Sequence, residues 1–575
     1  MQKLIFSILL VSSFSAFSQN LDKIGKEGMV KVSGGLSSNF VVNQTVNQPQ
    51  FRDPFSWVLS GNVTLSILDF SLPFTFSFSN TGKSYTQPFN MTAVHPTYKN
   101  WKTHLGITSM NFSSYTYQGL NFTGAGVEYT PKKWAFKGFG GRLKKAIEYD
   151  ADINNINTVS YSRMGFGFGT EYKGKKWGTE LLLLKAYDDA TSLKFYHNNP
   201  ELTAKDNIVA SLKGNLSIFK SLRLNAEFAT SILTRDVIAS YPSYKRAFYS
   251  SLVQGNQTTK ISNAYNASLD YRYNFFGIGV KYERIDPDYN TLGAVYFNND
   301  LENVTINPSF SLFKNKVNLA ISTGYQRNNL DAKNASDSKR WIGTASLTAQ
   351  VIKGLSFNAN YSNMSSFSRK NPTADPFYTT LGDTLNYYQT SENISSSLSY
   401  AFGKKIKNAL SLTGSYAKST NITGRLQDAA AFGFNVNYAD NDAPVDVYNG
   451  VFSHMLQLSK SGLSIGWMAN ANHTVAMGAT NTFFGPGLNA SKVLMKKKMN
   501  LSLGANYNQQ YTQSILSNHV MNFRLGLRYS PELWDKKYGK LSISLNANWI
   551  NKLAVINIPN TQNITIIANL AYQFQ

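Results

Sequence analysis

The sequence predicts an all-β fold: a transmembrane antiparallel up-and-down β-barrel of about 24 strands, with roughly 22–26 compatible with the pattern. Three observations predict it. Apolar and polar residues alternate through segments of about 10–13 residues, the length of strands that cross a membrane. Charged residues are scarce while aromatic residues are abundant. No stretch approaches the roughly 18–20 apolar residues that a transmembrane helix needs.

The alternation is clear in residues 541–549, where Leu541, Ile543 and Leu545 lie opposite Ser542 and Ser544. A period of two puts successive side chains on opposite faces of a strand. Residues 56–68 and 523–529 repeat the pattern. About 11 residues tilted by roughly 45° cover about 25 Å, the height of the apolar band of such barrels.

The composition agrees with this fold class. Charged residues make up 15% of the 575 residues, against roughly 25% in soluble domains. Aromatic residues reach 14%, yet the mean hydropathy is only −0.27. A barrel in lipid explains both, because alternate residues face lipid and a polar lumen. The alternating strand pattern continues from residue 29 to the end without a linker or low-complexity break, so we expect one domain.

The two ends of the chain predict export to the outer membrane. Lys3, the apolar run 4–14 and Ala16-Phe17-Ser18 have the pattern of a signal peptide over residues 1–18, followed by a short N-terminal periplasmic segment (19–28) and the barrel (29–575). The last strand has an apolar face ending in Phe574, similar to the C-terminal signal of outer-membrane barrels, in which Phe is usually the final residue. We therefore expect recognition by the outer-membrane assembly machinery, contact with lipid and lipopolysaccharide, and periplasmic termini.

The connections alternate between short and long. The short turns are rich in lysine, and on a barrel with periplasmic termini they belong to the periplasm; they lie at 131–133, 173–176, 314–316, 353–354, 404–407, 460–462 and 496–498. The long loops would face outward, at 186–206, 234–261, 286–302, 327–339, 364–391, 473–483, 511–518 and 551–562. The net charge of +23 is thus dispersed among turns, without the basic patch or stripe of a nucleic-acid-binding protein.

Two short turns on the same side of the membrane must be separated by an even number of strands. The candidate strands at 101–112 and 429–439 each make that number odd. Assigning both to long outer segments, roughly 80–118 and 419–448, gives the count of about 24 strands. Residues 81–118 contain two prolines, which suit turns better than central strands. We therefore predict that 81–118 folds inward and narrows the lumen, with Asn90, Thr92, His95 and Lys102 near Glu128 and Arg163. The alternative is that 101–112 is an ordinary barrel strand.

The N-terminal quarter resembles a family of uncharacterised outer-membrane barrels from the Bacteroidota. The matching stretches, which cover about residues 30–145, include Val32-Ser33-Gly34-Gly35, Arg52-Asp53-Pro54-Phe55, Gln87-Pro88-Phe89-Asn90, His95-Pro96-Thr97-Tyr98-Lys99 and Gly124-Ala125-Gly126-Val127-Glu128. The resemblance implies fold and location. It brings no catalytic residue and no substrate.

Glycines concentrate on one predicted wall, at 124 and 126 and again at 165, 167 and 169. Because the opposite faces are apolar, we assign the glycine faces to the lumen. Two interpretations remain open: a wall cleared for an inserted segment, or strands that bend at glycines to curve the barrel.

Charged residues on the same faces are candidates for the lumen wall, because charge facing lipid is costly. They either form a selective constriction or pair with one another to fill a wide barrel. The candidates are Glu128, Arg163, Glu171, Arg223, Glu227, Asp270, Arg272, Lys281, Glu283, Arg524 and Arg528.

Nothing in the sequence indicates an enzyme, a cofactor or a metal site. The six histidines lack metal-ligand spacing, and the absence of Cys leaves no disulfide, no lipoprotein attachment and no thiolate ligand. Serine is too abundant for any Ser-His pairing to be informative. Strand texture begins about ten residues after the cleavage site, so we expect no N-terminal plug domain.

Two functions remain. The first is a transport channel, in which long outer loops gate a polar lumen that passes a hydrophilic solute; the Ser-, Asn- and Thr-rich face of many strands indicates it. The alternative is a structural or assembly barrel that holds another outer-membrane or cell-surface protein, which the absence of a sharp site favours.

Overall fold

The computed structural model describes most of the chain from Val30 to Phe574. The described residues are 30–48, 50, 53–80, 91–149, 159–194, 202–238, 252–294, 299–331, 339–350, 352–368, 387–423, 445–476, 478–531, 539–555 and 559–574. The predicted signal peptide and periplasmic segment lie outside them and stay predictions.

The described residues form 26 wall strands, each paired antiparallel with its neighbours in the chain, and β1 also pairs with β26. The sheet is therefore closed, which confirms the predicted all-β, antiparallel, up-and-down barrel. From β1 to β13 the strands are Val30–Val46, Phe55–Ile67, Phe70–Ser79, Met91–Val94 with Thr97–Tyr98, Trp101–Thr108, Phe122–Tyr129, Trp134–Lys144, Ser162–Lys173, Trp177–Asp189, Asp206–Phe219, Leu222–Thr234, Thr259–Tyr273 and Phe276–Ile285. From β14 to β26 they are Leu301–Leu312, Val317–Arg327, Lys339–Ala349, Leu355–Ser368, Tyr387–Phe402, Ile406–Thr423, Val445–Leu458, Leu463–Ala476, Ala479–Leu494, Met499–Thr512, Ile515–Tyr529, Lys540–Ala554 and Thr561–Phe574.

The assignment of residues 101–112 to a long outer segment is wrong, because residues 101–108 form the wall strand β5. Residues 101–108 pair with β4 on one side and β6 on the other, so they belong to the wall. Between the turns at 68–70 and 131–133 the structure has four strands, an even number, because it contains β4, which the sequence analysis did not identify. Pro96 interrupts β4, since proline has no N–H to donate to the ladder. The chain bulges there, with the His95 N–H donating to the Pro73 carbonyl at 2.8 Å. The second disputed segment, 429–439, lies outside the described residues.

An even number of strands puts the start of β1 and the finish of β26 at the same end of the barrel, here called the terminal end; the opposite end is the loop end. The lysine-rich turns predicted from the sequence, such as 314–316 and 496–498, lie at the terminal end. Two predicted long loops are wrong. Strands β21 and β22 are separated only by residues 477–478, and β23 and β24 only by 513–514. Gln513 and Ser514 both have positive φ, as in the two-residue turns that suit twisted hairpins.

The wall has one polar and one apolar face. Residues directly opposite each other in neighbouring strands share a face, so the register carries each face around the barrel. Asn569, for example, lies opposite Asn39 of β1 and donates to its side-chain oxygen at 2.6 Å. Large apolar side chains such as Phe40, Phe166, Leu212 and Leu488 are exposed on the other face. Among the described residues, no helix is long and apolar enough to span a membrane.

The last strand closes the barrel. Phe574 lies opposite Gly34 of β1, and Tyr572 lies opposite Leu36. The backbone ladder of β26 continues on its other side with β25. The apolar, aromatic-ended face read from the sequence therefore belongs to the strand that joins the two ends of the chain.

Candidate functional site on the polar face

Residues 109–121, the connection between β5 and β6, leave the wall and lie against its polar face. We call them the inner segment. Ser113 closes a turn by accepting the backbone N–H groups of Thr116 and Tyr117 at 3.1 and 3.0 Å. Phe112, Tyr115 and Tyr117 are buried, although most of the wall leaves its side chains partly exposed. The prediction that all of 81–118 forms an outer segment is wrong for 91–108, which is wall, and residues 81–90 lie outside the described residues.

Side chains of strands far apart in the barrel hold the inner segment. Lys137 of β7 donates to the Asn111 carbonyl at 2.8 Å, and Lys213 of β10 donates to the Phe112 carbonyl at 3.2 Å. Ser113 donates to the carboxylate of Glu227 in β11. The segment thus reaches from its own neighbours to strands five positions further around the wall.

Tyr115 extends this reach to β12 and β13. Its hydroxyl donates to Glu283 at 2.7 Å and accepts from the Asn266 amide at 3.0 Å. Burial, and the nearby Glu283 carboxylate, raise the pKa of Tyr115 well above its usual range. The phenol therefore stays protonated and keeps its role as a donor to Glu283.

The loop that follows β13 packs onto the inner segment. The Tyr289 hydroxyl donates to the Tyr115 carbonyl at 2.7 Å, and the Thr291 hydroxyl donates to the Thr116 carbonyl at 2.5 Å. Residues 293–294 and 117–118 form a short parallel ladder. Burial raises the pKa of both Tyr117 and Tyr289.

Asp288 ties this loop to the wall at the loop end. Arg235 and Lys260 both lie 2.5 Å from its carboxylate oxygens. Burial acts to raise the pKa of Asp288, but the hydrogen bond from Lys260 and the charge of Arg235 outweigh it, so the pKa is lowered. Two loops and one side of the wall are thus held together by ionic and hydrogen-bonded contacts.

The glycine-rich wall lies directly beneath the inner segment. A Cβ atom built on Gly126 would stand 2.5 Å from Met110 Sδ, and one on Gly167 would stand 3.0 Å from Phe112 and 2.2 Å from Phe139. Separations below 3.0 Å are not tolerated without a shift. Of the two interpretations left open, these contacts favour a wall cleared for an inserted segment, although the segment is 109–121 and not 81–118.

Nine of the eleven candidate charged residues lie on strands β6 to β13, and most have partners there. Their contacts are Glu128 with His104 at 2.7 Å and Lys102 at 3.7 Å, Arg163 with Asp188 at 2.7 Å, Glu171 with Lys173 at 3.1 Å, Glu227 with Ser211 at 2.8 Å, Asp270 with Ser268 at 3.1 Å and Asn225 at 3.3 Å, and Lys281 with Glu283 at 3.1 Å. Arg223 and Arg272 line a cavity of about 480 Å³ together with Asp270. The prediction for Arg163 placed it near Asn90, Thr92, His95 and Lys102. In the structure Arg163 pairs with Asp188 instead.

The remaining two candidates, Arg524 and Arg528, lie on β24, on the far side of the barrel from the inner segment. Both are exposed, and neither has a hydrogen bond or ion pair with the described residues. Arg528 lines a second cavity of about 1430 Å³ at the terminal end. The structure thus separates two groups of residues that the sequence placed in one set.

Several residues of the site were missed by sequence analysis, among them Ser113, Tyr115, Tyr289 and Thr291. They belong to loops, where no hydrophobic period identifies a buried position. The one available signal was the glycine pattern, which indicated that something packs on the wall without identifying what. Among the described residues, no group of three or more His, Asp or Glu has the geometry of a metal site.

Comparisons with known proteins add little beyond the fold. No family model matches the chain, and no curated protein matches it. Among solved structures, it is similar to the translocation pore of the P pilus usher PapC, with 12% identity over 94% of this chain and 98% of that chain and a TM-score of 0.35. It is similar to the copper transporter OprC with 10% identity over 95% of this chain and 81% of that chain, also with a TM-score of 0.35. It is also similar to BauA, the ferric preacinetobactin receptor from Acinetobacter baumannii, with 10% identity over 94% of this chain and 80% of that chain and a TM-score of 0.35. Likeness at this level supports no inference about activity.

Proposed function

We propose that the protein is an outer-membrane channel for a hydrophilic solute, in which the polar face lines the lumen and the inner segment narrows it. The observation that carries the proposal is the anchoring of the inner segment to the polar face of strands up to β13, as the bond from Tyr115 to Glu283 illustrates. A segment held in this way lies inside a closed wall, across part of the lumen.

The two faces of the wall support this orientation. Exposed apolar side chains such as Phe166, Phe228 and Leu488 suit contact with lipid. Polar residues such as Asn360, Ser395 and Asn449, which share the opposite face, suit contact with water. A barrel with 26 strands encloses more room than small barrels whose side chains fill the interior. A partly blocked polar lumen therefore remains.

Planar-bilayer conductance tests the proposal. The purified wild-type barrel is expected to show discrete channel openings. Replacing residues 110–120 with a short Gly-Ser linker removes the obstruction, so single-channel conductance should rise by about twofold or more, because current scales with the open cross-section. The double variant E227Q/E283Q, which weakens two anchors without shortening the chain, should give more frequent or larger openings.

Glu302→Gln is the matched control, because Glu302 binds Tyr282 and Arg327 on the apolar face and does not touch the inner segment. Correct folding of each variant is checked by heat-modifiable mobility on gels. A folded wild type and a folded linker variant that both lack conductance would contradict the channel. Co-isolation of a second outer-membrane protein in that case would favour the alternative, a barrel that holds a partner.

A further inference from the structure

The polar face divides into two arcs of different electrostatic character. On strands β6 to β13, acidic and basic residues occur together and pair, as Lys281 does with Glu283. On strands β14 to β26 and β1 to β3, every described charged residue that the register places on the polar face is Lys or Arg. The carboxylates of these strands, Glu302, Glu392 and Asp446, occupy the apolar face.

Several cations gather at the terminal end of the second arc. The cavity of about 1430 Å³ is lined by Lys496, Lys497, Lys498, Arg528 and Lys540, and the described residues of its lining include no Asp or Glu. About half of the neutral lining residues have hydroxyl or amide side chains, among them Ser502, Ser544, Asn546 and Asn569. Such groups donate hydrogen bonds to an anion without competing for the cations.

Arg524 continues this surface further into the barrel. It lies four residues from Arg528 on the same face of β24, about 13 Å along the strand. The residues opposite Arg524 are Gly504 and Asn548, and those opposite Arg528 are Asn500 and Ser544. Within the part of the chain that the structure describes, no carboxylate pairs with either guanidinium, so both guanidinium groups are available for a ligand. Guanidinium binds carboxylate and phosphate through paired hydrogen bonds, which a lysine does not match.

We infer that the terminal-end cavity and Arg524 form a binding path for anions that carry phosphate or carboxylate groups. The inference rests on the proposed function insofar as it names the solute class of the channel. The binding site itself does not require that the barrel conduct. Five cations have no ion pair with the described residues: Lys496, Lys497, Arg524, Arg528 and Lys540. Their mutual repulsion is relieved when an anion enters, which favours binding at low ionic strength.

Two measurements on the full-length protein in detergent or bilayer test the inference. In titration calorimetry at low salt with inorganic tripolyphosphate as the probe, the wild type should bind, and R524Q/R528Q should bind about tenfold or more weakly, as expected for loss of charge-assisted hydrogen bonds. In a KCl gradient across a bilayer, the wild-type reversal potential should indicate anion preference, which R524Q/R528Q should reduce. Lys540→Gln should shift both readouts in the same direction.

Lys492→Gln is the matched control, because Lys492 lies at the same end of the barrel on the apolar face, opposite Leu463 and Leu501. It removes one positive charge and should change neither readout. Absence of tripolyphosphate binding to the wild type, equal binding by folded R524Q/R528Q, or cation preference of the wild-type channel would overturn the inference. Binding that depends on the arginines in a barrel without conductance would support the site while contradicting the proposed channel.

Discussion

At the scale of single residues, the inner segment depends on the absence of side chains beneath it. Gly167 has no room for a Cβ, since Phe139 and Phe112 already occupy the space above it. Gly214, on β10 two strands further along, has no heavy atom within 4 Å of the position that a Cβ would take. Identical substitutions at the two glycines therefore separate packing from strand propensity.

We predict that Gly167→Ala lowers the free energy of unfolding by about 1–3 kcal/mol, because overpacking forces the aromatic rings to shift. Gly214→Ala should leave it nearly unchanged or raise it slightly, because alanine restricts the unfolded chain. Urea unfolding in lipid vesicles, followed by Trp fluorescence, measures both. Equal effects of the two substitutions would show that the rings above Gly167 move at no cost.

The buried tyrosines predict a loss of stability at high pH. The pKa of Tyr289 is raised above its ordinary value of 10.0. Below about pH 10 the phenol is protonated in both states, so it adds no pH dependence. Above that pH the unfolded chain releases the proton while the folded protein keeps it, so the free energy of unfolding falls by about 1.4 kcal/mol per pH unit for each such group.

Tyr289→Phe removes one of these protons, so the decline between pH 10 and 11.5 should be shallower by that amount. At neutral pH the variant loses the hydrogen bond to the Tyr115 carbonyl, at a cost of about 0.5–1.5 kcal/mol. Tyr325→Phe, a change at an exposed position of the wall, is the control. An unchanged slope in Tyr289→Phe would mean that Tyr289 reaches solvent before the barrel unfolds.

At the scale of elements, the strand β26 decides whether the barrel closes. Its residues form backbone ladders with β1 and β25 at once. An unpaired edge within lipid leaves backbone N–H and C=O groups without partners, at a cost of several kcal/mol for each group. The aromatic tip of β26 is thus part of the closing seam as well as the proposed signal for assembly.

We predict that deleting residues 570–575 abolishes insertion into the outer membrane, because β1 then lacks its partner from Gly34 to Ser38. Deleting Gln575 alone should leave insertion unchanged, since it makes Phe574 the final residue, as in the usual signal. Membrane fractionation and heat-modifiable mobility report the outcome. Insertion of the six-residue truncation at the wild-type level would show that closure does not need the end of β26.

The connections between strands show which elements can be predicted from the local sequence alone. The lysine-rich turns, such as 314–316, were predicted correctly because a short break between two alternating segments is a local signal. Residues 473–483 and 511–518 were predicted as loops because they are polar, but they continue as strands to tight turns. A strand that rises beyond the apolar band has no reason to alternate, so its sequence resembles a loop.

At the scale of the whole molecule, the barrel is asymmetric. One side carries paired charges, the inner segment and the loop held by Asp288. The other side is a surface of Ser, Thr and Asn with a few cations, such as Arg524 and Arg528, that have no ion pair with the described residues. Any solute that crosses the proposed lumen would pass along this second side, because the first is occupied. In the proposed channel, the cationic arc would therefore be the part of the wall that determines selectivity.

The sequence by itself determined the fold class, the alternation of the faces and the lysine-rich turns. These features follow from a period of two and from turn composition, both of which are local. The tertiary structure alone decided that residues 109–121 lie across β7 to β13, that Tyr115 meets Glu283, and that Arg524 and Arg528 stand apart from the other candidates. Several of these contacts join residues more than a hundred positions apart, as the bond from Tyr115 to Glu283 does. They form only when the curvature of the closed sheet brings their strands together.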